Sequence, residues 1–137
     1  MYSFRKSKKG FTLIELMVVV AIIGVLALLG LRLYATQQDK AKEAIVKANA
    51  GTVQVQIQTE LADAATGYAL SDALDDVQNI NLRNPFTGGI GDKAVTTDAG
   101  TATGEGMVGV DFSSPVFTIK AYGKGGRDME YELTAQR

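Results

Sequence analysis

The sequence predicts an α+β chain: one long N-terminal helix, membrane-spanning in its first half, packed on a small three-stranded antiparallel sheet. Three observations carry this. An apolar run from Phe11 to Leu31 contains a single charge, Glu15. A helical period then continues, without proline, as far as Thr66. The last third of the chain alternates apolar and polar residues at the strand period.

The apolar run comes first. At 1.5 Å per residue a helix from Phe11 to Leu31 is about 31 Å long, which matches the ~30 Å hydrocarbon core of a bilayer. Arg5, Lys6, Lys8 and Lys9 precede it with no acid among residues 1–10. Basic residues stay on the cytoplasmic side, so the N-terminus is expected inside and the rest of the chain outside. A carboxylate within a spanning segment costs about 2.5–3.5 kcal/mol and marks a functional position, so Glu15 calls for a positive partner. An ordinary secretory signal fits less well, because its apolar region is shorter and ends at small residues.

Ala21, Gly24, Ala27 and Gly30 recur every third residue, a stripe of small side chains that lets a neighbouring helix come close. Gly24 and Gly30 also each cost about 1 kcal/mol of helix propensity relative to alanine, which makes the segment between them a candidate for unwinding.

Beyond Leu31, the positions Leu31, Tyr34, Gln38, Ala41, Ile45, Ala48, Thr52, Val55, Thr59 and Ala62 advance in steps of three and four. Val46, Ala50, Val53, Ile57 and Leu61 form an adjoining stripe, and the two together predict one wide buried face. Gly51 is a weak point within it. The helix is expected to span 11–67 and to stop at Ala65-Thr66-Gly67, with Gly67 suited to a left-handed cap.

The region 68–137 is expected to form a globular head. Ser71, ahead of Asp72, Asp75 and Asp76, reads as the N-cap of a short helix ending near Asn79. Asn84-Pro85-Phe86 and the following glycines read as a turn, and 88–106 as a glycine-rich loop on the outside of the molecule. Strands over 107–112, 116–122 and 127–134 complete a meander spanning 107–134. They place Val108, Val110, Phe112, Phe117, Ile119, Ala121, Met129, Tyr131 and Leu133 inward.

Composition narrows the function. The chain of 137 residues has neither cysteine nor histidine, which removes disulfides and the commonest general base and metal ligand. Net charge is −1 and becomes more negative without the basic leader, which argues against general nucleic-acid binding. Asp92, Asp98, Glu105, Asp111 and Asp128 are scattered acids rather than a calcium loop, so no metal and no cofactor is expected. Ser71, Ser113 and Ser114 have no histidine to activate them, and Gly88–Lys93 lacks the spacing of a phosphate loop. No catalytic residue is expected.

The run Gly10-Phe11-Thr12-Leu13-Ile14-Glu15 after a short basic leader resembles the class III signal of type IV pilins and the related pseudopilins. The resemblance covers residues 5 to about 35. It implies a pilin-like fold and a prepilin peptidase that cuts between Gly10 and Phe11, removes 1–10, and methylates the new Phe11 amine. It further implies that Phe11 and Glu15 direct assembly. The partners would be identical subunits in a helical homopolymer, the inner-membrane assembly machinery, and the membrane itself before assembly.

The chain would lie single-pass in the inner membrane, cytoplasmic at its N-terminus, and become extracellular in the filament. Type IV pilus subunit, for adhesion, motility or DNA uptake, is the reading adopted. The alternatives are a pseudopilin of a type II secretion or competence system, and a membrane-tethered extracellular binding domain that does not polymerise. Many pilins carry a proline just past the glycine region where this chain has Arg32, a departure that bears on unwinding.

Overall fold

The computed structural model describes residues 10–63, 70–97, 104–113 and 115–136. The leader 1–9, the helix stop at 65–67, Asp98 and Ser114 lie outside the described residues. The chain divides into two compact units, Met1–Gln37 and Gln38–Arg137. Helix α1, Leu13–Asp63, runs through both.

In the first unit α1 is apolar on every side from Leu13 to Leu31 apart from Glu15, with a mean hydropathy of 2.8 in its most apolar window. That is long and apolar enough to cross a membrane. Every described residue here is exposed, Phe11 at 86%. A helix apolar all round is one that something else must surround.

In the second unit one face of α1 supplies Val46, Ala50, Val53 and Ile57, all fully buried. Their 4-3-4 spacing keeps them on one side of a 3.6-residue helix. They meet Val77 of α2 (Leu70–Asn79) and the inward residues of a sheet. Because α2 begins at Leu70, Ser71 falls inside the helix rather than at its cap.

Among the described residues the sheet has four strands in the order β1-β2-β3-β4: Val95–Thr96, Val108–Ser113, Val116–Tyr122 and Asp128–Gln136. The expected meander is present as β2 to β4, antiparallel throughout. Val108, Val110, Phe117, Ile119 and Ala121 are buried, and Phe112, Met129, Tyr131 and Leu133 pack against them. The Phe112 and Phe117 rings face each other across a register pair, 4.6 Å between centroids.

The count of three strands is corrected by β1. Val95 pairs in parallel with Val108, within the segment read as glycine-rich loop, and Val108 N–H donates to Ala94 O at 2.8 Å. Two residues are too few to show an alternation, and what holds them is a partner that is distant in sequence. A second correction concerns α1. Ile45 is 48% and Val55 62% exposed, so the stripe from Gln38 to Ala62 is not buried as expected. Only its neighbour faces the sheet.

Polar ties hold this unit together. Asn49 Nδ2 donates to Arg83 O at 3.1 Å and Gln54 Nε2 to Thr134 O at 2.8 Å, joining α1 to the turn region and to β4. The β3–β4 turn carries Gly125 and Gly126 at positive φ and brings Lys124 to Asp39 (2.8 Å) and Arg127 to Glu43 (3.1 Å). Such exposed pairs contribute little each, about 0–1 kcal/mol.

Asn84 is different, being buried with all of its side-chain capacity in use. Nδ2 donates to Lys93 O and Glu105 O, while Oδ1 accepts from the N–H groups of Phe86 and Thr87. It pins the turn, the residues before β1 and those before β2 at one point. Asn84→Ala takes the partner from four part-buried backbone groups, each loss costing up to about 1–3 kcal/mol where water cannot replace it. The denaturant midpoint of the full chain in detergent is expected to fall with little change in helix content before the transition.

The Tyr122 hydroxyl is shifted upward by burial first, then by the Asp128 and Asp111 charges, with Lys120 opposing. A phenol whose folded pKa lies above its unfolded value of about 10 stabilises the fold fully below that pH. The contribution is lost as pH rises through the folded pKa. Alkaline unfolding followed by circular dichroism should therefore begin above about pH 10, and Tyr122→Phe should blunt it.

Candidate functional site

The sequence-derived site lies at the start of α1. Gly10, Phe11 and Thr12 are outside the helix, which begins at Leu13. The first helical hydrogen bond runs from Leu16 N–H to Thr12 O at 3.3 Å, so Thr12 is the N-cap residue. The side chains complete a reciprocal box: Thr12 N–H donates to Glu15 Oε2 at 2.8 Å, and Glu15 N–H donates to Thr12 Oγ1 at 3.3 Å. The Thr12 hydroxyl also donates to Glu15 Oε2, at 2.7 Å.

Among the described residues, the partner of Glu15 is therefore Thr12, an uncharged group, where sequence reasoning looked for a cation. In the uncleaved chain the Phe11 nitrogen is a peptide amide and carries no charge. The signal for Thr12 was present in the sequence as Thr-x-x-Glu directly before an apolar run, the signature of a capping box.

Glu15 also lines a shallow depression of about 360 Å³ with Phe11, Ile14, Val18 and Val19. Every other lining residue is apolar. Any medium that wets this surface without water puts the carboxylate in apolar surroundings, where unsatisfied oxygens are costly.

Gly24 and Gly30 are both helical, and a Cβ added at either meets no atom within 4 Å. Among the described residues nothing requires a small side chain there. Among the described residues no three acids lie close enough together to hold a metal ion.

The family defined by the prokaryotic N-terminal methylation motif matches residues 5–31, the stretch that holds the leader cations, Gly10, Phe11 and the capped Glu15. The chain is a relative of the type IV pilins. The type IV major fimbrial protein FimA of Dichelobacter nodosus is 31% identical over 115 residues, covering 80% of this chain and 64% of that protein. Fimbrial protein Q of Moraxella bovis is 33% identical over 118 residues, 84% of this chain and 65% of that protein. Fimbrial protein EcpB of Eikenella corrodens is 46% identical over 55 residues, 40% of this chain and 35% of that protein. This pilin-like chain thus spans less than two thirds of the length of the fimbrial relatives it matches. No solved structure matches it.

Proposed function

We propose that this chain is a structural subunit of a type IV pilus, made as a membrane-inserted precursor and polymerised through α1. The observation that carries this reading is the first unit itself, a helix start whose whole circumference is apolar and exposed. Each large apolar side chain gains about 1.5–3 kcal/mol on leaving water. Summed over the run, that far exceeds the ~2.5–3.5 kcal/mol cost of Glu15. The segment must be surrounded, by lipid before assembly and by other copies of itself afterwards.

The second unit supports the same reading. Ala41, Ile45, Ala48, Thr52, Val55 and Ala62 form an outward, uncharged stripe on α1 at helical spacing. Outside the membrane it offers a surface suited to helix packing. The small-residue stripe Ala21, Gly24, Ala27 and Gly30 adds a line of close approach.

In this reading a prepilin peptidase cuts at Gly10/Phe11 and methylates Phe11, and inner-membrane assembly machinery extracts the processed subunit. Glu15 of one subunit receives the Phe11 amine of the next. The protein has no catalytic role of its own, and the fibre serves adhesion, motility or DNA uptake. Electron microscopy of sheared surface material, with the subunit's N-terminus sequenced, tests this directly. Long fibres whose subunit begins at methylated Phe11 are the expected result. Surface material without fibres, or a subunit that retains residues 1–10, would overturn it.

A further inference from the structure

We infer that Thr12 is the positioning residue for the assembly acid: its capping box with Glu15 fixes where α1 begins and holds the carboxylate ready for an incoming cation. The inference rests on the pilus reading above and adds a residue that reading does not use.

The geometry of the carboxylate carries the argument. The bonds from Thr12 N–H and from the Thr12 hydroxyl both end on Oε2. Among the described residues Oε1 accepts none. One oxygen is thus anchored to the helix start and the other is left for a partner, so capping and docking need not compete. The anchored oxygen also loses freedom. A glutamate side chain surrenders rotamer entropy when it is ordered, and the box makes that loss before the partner arrives. Preorganisation of this kind strengthens association without adding a contact across the interface.

The environment makes the anchor matter more. The carboxylate shares its depression with Phe11, Ile14, Val18 and Val19, so in lipid or polymer its oxygens have no water to turn to. Two donors from Thr12 satisfy the acid during the stage before a cation is present. The box also sets the helix start two residues past the Gly10–Phe11 bond, which leaves Phe11 outside the helix. Helix propagation back through Phe11 would carry the amine away along the helix surface from the position the box defines.

The test uses full-length chains in cells, scoring the assembled share of leader-free subunit so that any effect on processing drops out. Thr12→Val keeps the side-chain shape and removes the hydroxyl, and it is expected to lower the assembled share about fivefold, the equilibrium factor of one lost cap. Thr12→Ser restores the hydroxyl and should assemble within about twofold of wild type. In detergent micelles the Glu15 amide, whose acceptor is the Thr12 hydroxyl, should exchange faster with solvent in Thr12→Val and at the native rate in Thr12→Ser.

Normal assembly and exchange in Thr12→Val overturns the inference, and so does equal loss in Thr12→Ser. The pilus reading is judged separately by Glu15→Ala. If that variant fails to assemble while Thr12→Val is normal, only the role of Thr12 falls. If Glu15→Ala also assembles normally, the docking reading falls with it.

Discussion

Gly10→Val is expected to stop maturation, with the precursor accumulating in the membrane fraction still carrying residues 1–10. The structure makes this a clean experiment. Gly10 is exposed, lies outside α1, and a Cβ built on it meets no atom within 4 Å. The precursor itself therefore has room for a side chain, and its insertion and folding should be unchanged. Any effect must arise where the peptidase grips the chain. A protease cleft built around a bare backbone position is displaced by a branched side chain, and a misplacement of about 1 Å at a reacting bond costs on the order of 100-fold in rate. Gly10→Ala, with one methyl group, should be slowed less. Gel mobility and N-terminal sequencing of the membrane fraction read the outcome. Assembled fibres of normal-sized subunit in Gly10→Val would show that cleavage does not occur here.

How much of this was legible in the sequence depended on how local each cause was. The apolar run, its single acid and the leader charges are contiguous, so length and composition alone locate the helix start. The strands β2 to β4 alternate over six or more residues each, and their inward set was readable for that reason. Strand β1 was not readable, because Val95 and Thr96 become a strand only through Val108 and Gly109, a pairing no local window contains.

The faces of α1 were misjudged for a different reason. Both the Val46–Ile57 stripe and the Ile45–Val55 stripe are apolar, and periodicity cannot say which of two apolar faces meets the protein's own sheet. The outward one is visible only once the sheet has chosen its side. Glu130, at φ 53 in the irregular register between Lys120 and Tyr122, left no sequence signal, because nothing about a glutamate in an alternating run marks a positive φ. Asn84 looked like an ordinary turn residue. Its burial comes from two carbonyls, at Lys93 and Glu105, that the fold delivers from elsewhere.

Glu15→Ala is expected to abolish homopolymers while leaving the subunit inserted, processed and folded. Removing the acid lowers the cost of insertion, since a carboxylate in a spanning helix is unfavourable by about 2.5–3.5 kcal/mol. It also takes nothing from the core of the second unit, whose buried residues begin at Val46. In the proposed docking, what it removes is one member of a charge pair buried between subunits. Loss of one such member costs about 3–5 kcal/mol, because the other is left uncompensated in an apolar setting. That corresponds to roughly 100-fold to several-thousand-fold per contact, repeated at every subunit of the fibre.

Glu15→Gln separates charge from capping. Glutamine at this helix position still closes a capping box with Thr12, so the helix start is retained and only the charge is lost. If charge pairing drives docking, Glu15→Gln should fail nearly as completely as Glu15→Ala. Glu15→Asp keeps the charge but shortens the reach by one methylene, and should assemble poorly. Co-expression with wild type provides the internal standard: mutant chains should be present in the membrane at normal levels and depleted from sheared fibres. Glu15→Ala fibres of wild-type length and yield, formed without wild-type subunits, would show that this acid does not dock the chain.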